Sequence, residues 1–383
     1  MMVENMKEAF EKVFGEGKET KMFFSPGRVN LIGEHIDYNG GCVFPCAITY
    51  GTYAVVSERE DKKVRLYSGN FEERGMIEFE LTNLAHTEDE NWSAYVKGVM
   101  VQFLEAGYEI ANGFDAYVFG TIPNGSGLSS SASLELLVSQ ILKELNGYDI
   151  TMVDMVKLSQ KAENEYVGVN CGIMDQFAVA VGKKDHAILL DCASLYYEYA
   201  PLNLGDYSLV IMSTNKRREL ADSKYNERRA ECEKALEIIN ENKTEKLENL
   251  CQATLEDIES FIKDETIKKR AIHVVTENER VKNSMEMLKA NDIKAFGALM
   301  TASHLSLEND YEVTGLHLDT LVHEALKIEG CIGARMTGAG FGGCAIALVD
   351  NAKVEEFKEK VSVAYKEVTE ITPSFYTSNI GEG

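Results

Sequence analysis

The chain has 383 residues, of which 45% are hydrophobic and 26% charged, a balance typical of an ordered globular protein rather than a disordered one. Its formal net charge of -23 opposes general binding to nucleic acid or to an anionic membrane surface. No apolar targeting segment opens the sequence and no long apolar run occurs in it, so we expect a cytoplasmic protein.

The length predicts two domains, because a single hydrophobic core usually stops growing below this size. We place the boundary at residue 205, which gives one domain of residues 1–205 and another of residues 206–383. The 8 cysteines form no Cys-x-x-Cys pair and the 7 histidines no His-Glu-x-x-His motif. Free thiols are therefore expected, and the sequence gives no support for a zinc or redox site.

The first half of the chain is predicted to form a sheet followed by helices. Short apolar runs between turn residues predict strands at 23–24, 43–56, 64–67 and 76–81. Apolar residues at steps of three and four predict a helix over 91–106, and a strand over 114–119 follows it. Two more helices are predicted over 133–145 and 151–166.

The second half contains more helix. Strands are predicted at 187–190 and 207–213, and residues 218–289 are rich in Glu, Lys and Leu and predict mostly helix. A second sheet is expected from segments 334–336, 344–349 and 373–378, with a helix over 354–368 before the last of them.

The first glycine-rich segment, residues 25–41, presents one cation and three hydrogen-bonding side chains: Arg28, Glu34, His35 and Asp37. Carboxylates accept hydrogen bonds from sugar hydroxyls, and a planar guanidinium stabilises phosphoryl charge. This cluster therefore indicates a polyol held beside a phosphoryl group. A solvated turn with a structural Arg and Asp pair explains the same residues, and both interpretations stay open.

The second segment, residues 121–133, is a glycine and serine loop that runs into a predicted helix. Backbone N–H groups at a helix start bind phosphate, helped by the helix dipole, so we expect the ATP phosphates here. No Gly-Lys-Ser/Thr closes the loop, which excludes a Walker A motif. A serine N-cap without a ligand explains one serine well but a run of three poorly.

The third segment, residues 335–343, contains Gly-x-Gly-x-x-Gly at Gly338, Gly340 and Gly343. A dinucleotide fingerprint requires a helix directly afterwards, whereas a strand is predicted here, so a nicotinamide oxidoreductase is strongly disfavoured. The protein kinase motifs are also missing. A loop that lies near the nucleotide or braces the first two segments is one interpretation, and a plain tight turn is the other.

Two acidic residues between the second and third segments are candidates for the chemistry. Asp175 lies in an apolar run that we expect to be buried, where a carboxylate needs a partner, and we nominate Arg28. Glu163 is the best remaining carboxylate for Mg²⁺, which takes one or two protein oxygens in phosphoryl transfer. A surface helix acid is an equally weighted alternative for Glu163.

Together these segments resemble the galactokinase branch of the superfamily that also contains homoserine, mevalonate and phosphomevalonate kinases. The resemblance rests on motifs at 27–41, 127–133, 171–177 and 337–343, which occur in the family's order and span nearly the whole chain. It implies an α+β fold of two domains with the active site in the cleft between them. The N-terminal domain would be ribosomal-protein-S5-domain-2-like and the C-terminal domain ferredoxin-like.

The resemblance also implies a reaction, in which the γ-phosphoryl of MgATP moves to the C1 hydroxyl of galactose, with Mg²⁺ as cofactor and ATP as co-substrate. Arg28 and Asp175 would form the catalytic pair, and Ser131 and Glu163 would bind Mg²⁺. The implied sugar contacts are Glu34, His35, Ile36, Asp37, Gly172, Asp175 and Tyr225. The implied ATP contacts are Ser68, Trp92, Gly125, Ser126, Gly127, Leu128, Ser129, Ser130 and Ser131. The partners would be these small molecules, without nucleic acid or membrane, and the protein would be a monomer.

Some of these positions have plainer explanations or depart from the family pattern. Trp92 suits a core position and Tyr225 a helix surface. Ile36 stands where galactokinases often have Thr and N-acetylgalactosamine kinases have Ile, and His317 stands where an acid is expected. A kinase for a related sugar, such as N-acetylgalactosamine or arabinose, therefore stays open. A sugar and ATP sensor without turnover also stays open, although the serine run at 129–133 that such sensors partly lack is complete here.

Overall fold

The computed structural model describes residues 5–87, 90–123, 127–216 and 221–383. The β-strands in these ranges are β1 Lys21–Asn30, β2 Cys42–Val43, β3 Pro45–Glu58, β4 Lys63–Ser68, β5 Ile77–Glu80, β6 Phe114–Gly120, β7 His186–Asp191, β8 Tyr197–Pro201, β9 Tyr207–Ser213, β10 Cys331–Thr337, β11 Cys344–Asp350 and β12 Ser374–Ser378. The α-helices are α1 Met6–Phe14, α2 Ser93–Glu105, α3 Ser130–Asn146, α4 Met152–Lys161, α5 Met174–Ala180, α6 Ala221–Asn242, α7 Leu255–Phe261, α8 Glu265–Lys289, α9 Ile293–Ser306, α10 Gly315–Leu326 and α11 Val354–Thr369.

The strands of the described residues form three sheets. The largest has the order β1-β3-β6-β4-β5, in which β4 and β6 are parallel and the other neighbours antiparallel. A small sheet has the order β2-β7-β8, and the second half of the chain contributes an antiparallel sheet with the order β10-β11-β9-β12. Every residue of β11 except the last is buried, as expected of a central strand covered on both faces.

Local sequence signals account for several helix starts. Thr151 caps α4 by accepting from the backbone N–H of Asp154. Thr254 and Asp257 form a capping box at the start of α7, and the side chain of Asp264 accepts two backbone N–H groups at the start of α8. Each cap satisfies N–H groups that have no partner within the helix.

Most of the predicted elements are confirmed, with ends that differ by a few residues. The predicted strand 43–56 is divided into β2 and β3, and the predicted helix 151–166 ends as an α-helix at Lys161 and continues as a π-helix, Ala162–Val167. The predicted helical stretch begins at 218, outside the described residues. We did not predict α1, α5 and β8, because elements of five to nine residues repeat a helical or strand period too few times to be detected. The ranges of the longer helices α9 and α10 were not predicted either.

Strand β1 carries an irregularity that helps to build the cavity described below. Its register against β3 shifts between Pro26 and Arg28. A β-bulge of this kind bends a strand and redirects a side chain. Gly27 lies within it, where an added Cβ would be only 2.8 Å from the carbonyl oxygen of Leu128. The serine loop therefore lies directly on β1, and the Arg28 N–H donates to the same Leu128 oxygen at 3.2 Å.

Helix α9 protects the outer edge of β10. The Ala334 N–H donates to Thr301 Oγ1 at 3.4 Å, and the Met336 N–H donates to His304 Nδ1 at 3.3 Å. Because Nδ1 accepts, the ring hydrogen of His304 lies on Nε2. Ligand atoms of His304, Glu308 and His323 lie within 4.8 Å of one another, but a protonated Nε2 offers no lone pair to a metal. We therefore assign His304 to the sheet edge.

The state of the cysteines and the length and apolarity of the helices can be compared with the sequence analysis. All 8 cysteines are free thiols, as predicted, and Cys46, Cys232 and Cys344 are buried. Within the ranges given above, we find no helix with the combination of length and apolarity that crossing a bilayer demands.

Candidate active site

A cavity of about 610 Å³ lies beside Arg28, and segments from both halves of the chain line it. Four acids, Glu34, Asp37, Glu163 and Asp175, contribute to its wall. Sequence analysis did not identify several other lining residues: Tyr38, Asn170, Cys171, Ser223, Asn226 and Ala339. Acceptor groups around a single arginine suit a polyol placed next to a phosphoryl group.

Arg28 and Asp175 form a bidentate ion pair in this cavity. Arg28 Nε donates to Asp175 Oδ1 and Nη2 to Oδ2, both at 2.8 Å, while Nη1 donates to the carbonyl oxygen of Gly127 at 2.8 Å. The arginine is only 3% exposed, so its orientation is fixed by these three bonds. The two segments that lie 147 residues apart in sequence are thereby joined at one point.

Asp175 is less buried than we expected. Its side chain is 29% exposed, whereas its neighbours Met174, Gln176 and Phe177 are buried. The reason is helical geometry, since successive residues of α5 point in different directions and Asp175 occupies the face that lines the cavity.

The Asp175 carboxylate keeps room for a substrate. Besides the two bonds from Arg28, its Oδ2 accepts from the Ser129 hydroxyl at 2.7 Å. A carboxylate has about four acceptor positions, so about one remains for a hydroxyl that enters the cavity. Ser129 reaches this place from a left-handed backbone conformation, with φ of 61°, directly before α3.

Asp37, Gly172 and Tyr225 form one side of the cavity. A Cβ on Gly172 would lie 1.7 Å from Asp37 Oδ2, so the absence of a side chain at 172 makes room for the carboxylate. Burial and, next, the charge of Asp175 raise the pKa of Asp37 to about 6. The ring of Tyr225 lies 5.5 Å from that of His35 and 5.4 Å from that of Tyr38, so this tyrosine faces the cavity and is not a free helix surface.

Glu34 connects the first and third segments. It is 1% exposed, its Oε1 accepts from the Gly338 N–H at 2.6 Å, and its Oε2 accepts from Asn30 Nδ2. Burial raises the pKa of Glu34 to about 7, against the opposing effect of Arg335 and Arg28. Both oxygens are thus engaged by the protein, each with further acceptor capacity toward the cavity.

Both ring nitrogens of His35 are engaged by the protein. Nε2 faces the carbonyl oxygen of Ala339 at 3.1 Å, so it must donate, and Nδ1 therefore accepts from the Tyr38 hydroxyl at 2.8 Å. Burial lowers the pKa of His35 to about 3, so the ring is neutral. A contact from His35 to a sugar would therefore use its backbone or the face of its ring.

The side chain of Ile36 does not line the cavity. It is fully buried in the hydrophobic core and packs so closely against Gly41 that a Cβ there would lie 3.0 Å from Ile36 Cβ. The side chain therefore contributes no surface to the cavity, and the expected contact of Ile36 with the sugar stays a prediction.

The serine loop and α3 lie beside the ion pair. Leu128 and Ser129 are buried, Ser130 is exposed, and α3 begins at Ser130, three residues earlier than predicted. The start of this helix presents unpaired N–H groups to an anion. Gly125 and Ser126, which we also expected at the nucleotide, lie outside the described residues.

Glu163 lies in the π-helix at the end of α4 and is 6% exposed, so it is not a surface acid. Gln176 Nε2 donates to its Oε2 at 2.7 Å, and the Ser131 hydroxyl is near enough to oppose the rise in the Glu163 pKa. Burial, and then the charge of Asp175, raise the pKa of Glu163 to about 7. A buried carboxylate and a nearby hydroxyl are oxygen donors of the type that Mg²⁺ accepts, so these residues fit a magnesium ion.

The third segment is the hairpin between β10 and β11, not a strand-to-helix turn. Gly338 has φ of 84°, and a Cβ there would lie 3.1 Å from the Gly127 oxygen. Thr337 Oγ1 both accepts from the Asn30 N–H and donates to the Asn30 oxygen at 3.0 Å. The hairpin therefore braces the first two segments.

Ser68 and Trp92 do not line the cavity. Ser68 is buried at the end of β4, where its hydroxyl accepts from the Asn70 N–H at 3.2 Å. Trp92 is half-buried against the core, directly before α2. Their expected position near adenine stays a prediction, and His317 lies elsewhere, with its Nδ1 3.0 Å from the Tyr365 hydroxyl.

Family models match three parts of the chain. Residues 8–58 match the galactokinase galactose-binding signature, residues 94–183 the N-terminal domain of GHMP kinases, and residues 284–367 their C-terminal domain. Together the matched residues make up more than half of the chain, and they include Arg28, Asp37, Glu163 and Asp175.

Individual relatives are similar to this chain over its full length. The chain is 54% identical to a galactokinase of Fusobacterium nucleatum and 55% identical to one of Streptococcus suis, covering 100% of this chain and 99% and 98% of those proteins. It is also similar to the crystal structure of Lactococcus lactis galactokinase complexed with galactose, at 50% identity and a TM-score of 0.97, covering 100% and 99% of the two chains. A mevalonate kinase structure shares the fold alone, at 19% identity and a TM-score of 0.65. The chain therefore belongs to the galactokinase family.

Proposed function

We propose that this protein transfers the γ-phosphoryl group of ATP to the C1 hydroxyl of α-D-galactose, giving galactose 1-phosphate and ADP. The observation that carries the proposal is the Arg28 and Asp175 ion pair, which lies in the cavity and is bonded directly to the serine loop. Phosphoryl transfer needs positioning and charge stabilisation more than covalent chemistry, and this arrangement provides both.

In the proposed mechanism, Asp175 orients the C1 hydroxyl and accepts its proton as the bond to phosphorus forms. Arg28 holds the carboxylate in place by its bidentate contact and offers positive charge to the transferring phosphoryl group. Ser129 assists by donating to Asp175 Oδ2, which leaves the remaining acceptor position facing the sugar.

The ATP phosphates would lie against residues 127–131 and the start of α3, where backbone N–H groups favour an anion. We assign Ser131 and Glu163 as the residues that would hold Mg²⁺, since their oxygens lie near each other beside this helix start. When bound, Mg²⁺ would neutralise charge on the phosphates.

The sugar would be recognised by Asp37, Glu34 and Tyr225, with Gly172 making room for Asp37. To test the substrate, ADP release should be measured with galactose, N-acetylgalactosamine, arabinose and glucose side by side. We expect turnover with galactose to exceed that with the other sugars. Faster turnover of another sugar would overturn the galactose assignment, and binding of galactose and ATP without sugar phosphate would overturn the proposed reaction.

Gly172→Ala should weaken galactose binding by about tenfold or more. The added methyl group would occupy the position of Asp37 Oδ2, so the carboxylate must move out of its place in the cavity. Gly75→Ala is the control for the added methyl group, because no atom lies within 4 Å of a Cβ there and Gly75 does not line the cavity, although its φ of 66° makes it the more strained site. Isothermal calorimetry with galactose tests this, and equal affinity in Gly172→Ala and wild type would contradict it.

Galactose binding should weaken as the pH falls below about 6. Asp37 has a raised pKa of about 6, so below that pH its carboxylate becomes a neutral acid that accepts hydrogen bonds less well. Once Asp37 is mostly protonated, KM for galactose should rise about tenfold per pH unit. Glu34, with a pKa of about 7, also titrates in this range, so the Asp37→Asn variant is the control. A transition near pH 6 that persists in Asp37→Asn would contradict the assignment to Asp37.

A further inference from the structure

Gln176, the neighbour of the proposed catalytic Asp175, joins two buried carboxylates that belong to different helices. Its Nε2 donates to Glu163 Oε2 at 2.7 Å and to Glu135 Oε2 at 3.0 Å. Gln176 and Glu135 are both 0% exposed. An uncharged amide thus uses both of its N–H donors to hold two acids in a fixed relation.

Glu135 lies on the same face of α3 as Ser131, because the two are four residues apart on one helix. Ser131 in turn lies near Glu163, whose pKa it helps to lower. The four side chains therefore form one cluster, in which Gln176 donates to both Glu163 and Glu135 and Ser131 lies near Glu163.

This cluster lacks a cation of its own. None of the ion pairs formed by the described residues involves Glu135 or Glu163. In addition, Glu135 Oε1 and Gln176 Oε1 are buried and have no hydrogen-bond partner in the described part of the chain. Buried oxygens without partners are costly, and a bound divalent cation with its water molecules would offset that cost.

We propose that Gln176 is a positioning residue for the metal, holding the Glu163 carboxylate against Ser131, with Glu135 as its anchor. The proposal rests on the proposed function, in which Ser131 and Glu163 hold Mg²⁺. Gln176 acts through Glu163 and touches no reacting atom. Partners of metal ligands in other proteins typically change metal affinity by about 10 to 100-fold when removed, which sets the expected size of the effect.

The test compares ADP binding with and without Mn²⁺ as the metal probe, in the full-length protein, so that no turnover is required. In wild type, Mn²⁺ should tighten ADP binding. In Gln176→Leu, which keeps the side-chain volume but removes the amide, this tightening should fall about tenfold. Binding of metal-free ADP and of galactose should stay within about twofold of wild type, a split that a general structural defect would not produce.

Two further variants distinguish a wrong role for Gln176 from a wrong assignment of the metal site. Glu135→Leu removes the acceptor that anchors Gln176, so it should also weaken the Mn²⁺ effect and serves if Gln176→Leu does not fold. Glu163→Gln should abolish the Mn²⁺ effect, and a normal effect there would overturn the proposed metal site itself. If Glu163→Gln loses the effect while Gln176→Leu and Glu135→Leu keep it, only the role of Gln176 is overturned. The matched control is Gln102→Leu, which should behave as wild type. Gln102 is a buried glutamine of α2 that makes no bond to Glu163.

Discussion

Replacing Asp175 by Asn is expected to lower kcat for galactose phosphorylation by about three orders of magnitude. The amide keeps the shape of the side chain but cannot accept the proton of the C1 hydroxyl, and it offers Arg28 only one acceptor oxygen in place of two. Because Asp37, Glu34 and Tyr225 are unchanged, galactose binding should remain within several-fold of wild type. Steady-state ADP release and calorimetry with galactose measure the two quantities separately.

A second bidentate pair provides the control for this variant. Arg59 donates to Asp61 through Nε at 2.7 Å and Nη2 at 2.5 Å, and neither residue lines the cavity beside Arg28. Asp61→Asn should therefore keep wild-type turnover while losing the same kind of ion pair. Turnover of Asp175→Asn within about tenfold of wild type would remove Asp175 from the chemistry.

The second large effect is expected from Arg28→Lys, which should lower kcat by about 100-fold or more. A lysine retains one positive charge but cannot reproduce the two parallel bonds to Asp175 together with the bond to the Gly127 oxygen. The loss should fall on kcat rather than on galactose affinity, because Arg28 acts on Asp175 and on the phosphoryl group. Single-turnover measurements with saturating ATP and galactose isolate this step.

Arg59→Lys is the corresponding control, and it changes an arginine of the same kind outside the cavity. A drop of similar size in both variants would indicate general damage by lysine substitution. Equal kcat in Arg28→Lys and wild type would mean that a point charge suffices and that the bidentate geometry has no role in the reaction.

Much of the cavity was predictable because its chemistry is carried by short segments. Arg28 and Asp37 stand between glycines in one stretch, and the serine run leads directly into a helix, so local sequence alone indicates what each segment binds. The partner of Arg28 lies 147 residues away, and it was nominated because a carboxylate in an apolar run needs a cation. The structure places the two residues in contact, while their catalytic roles remain proposals.

Other features depend on packing that the sequence does not display. The π-helix that carries Glu163 looks like a continuation of α4, since one extra residue per turn leaves no periodic signal. Ile36 stands among ligand-binding candidates in sequence, but its side chain turns into the core. Glu135 reads as an ordinary helix acid, and only the meeting of α3, α5 and the π-helix shows that it is buried against Gln176.

The central claim is that Asp175 and Arg28 meet the anomeric hydroxyl of galactose beside the ATP phosphates. A crystal structure of the protein with galactose and a non-hydrolysable ATP analogue tests it most directly. We predict the C1 oxygen within about 3.2 Å of an Asp175 carboxylate oxygen and in line with the γ-phosphorus, with the Arg28 ion pair intact. A C1 hydroxyl that points away from Asp175, or an Arg28 that leaves the carboxylate when both ligands are bound, would contradict the account.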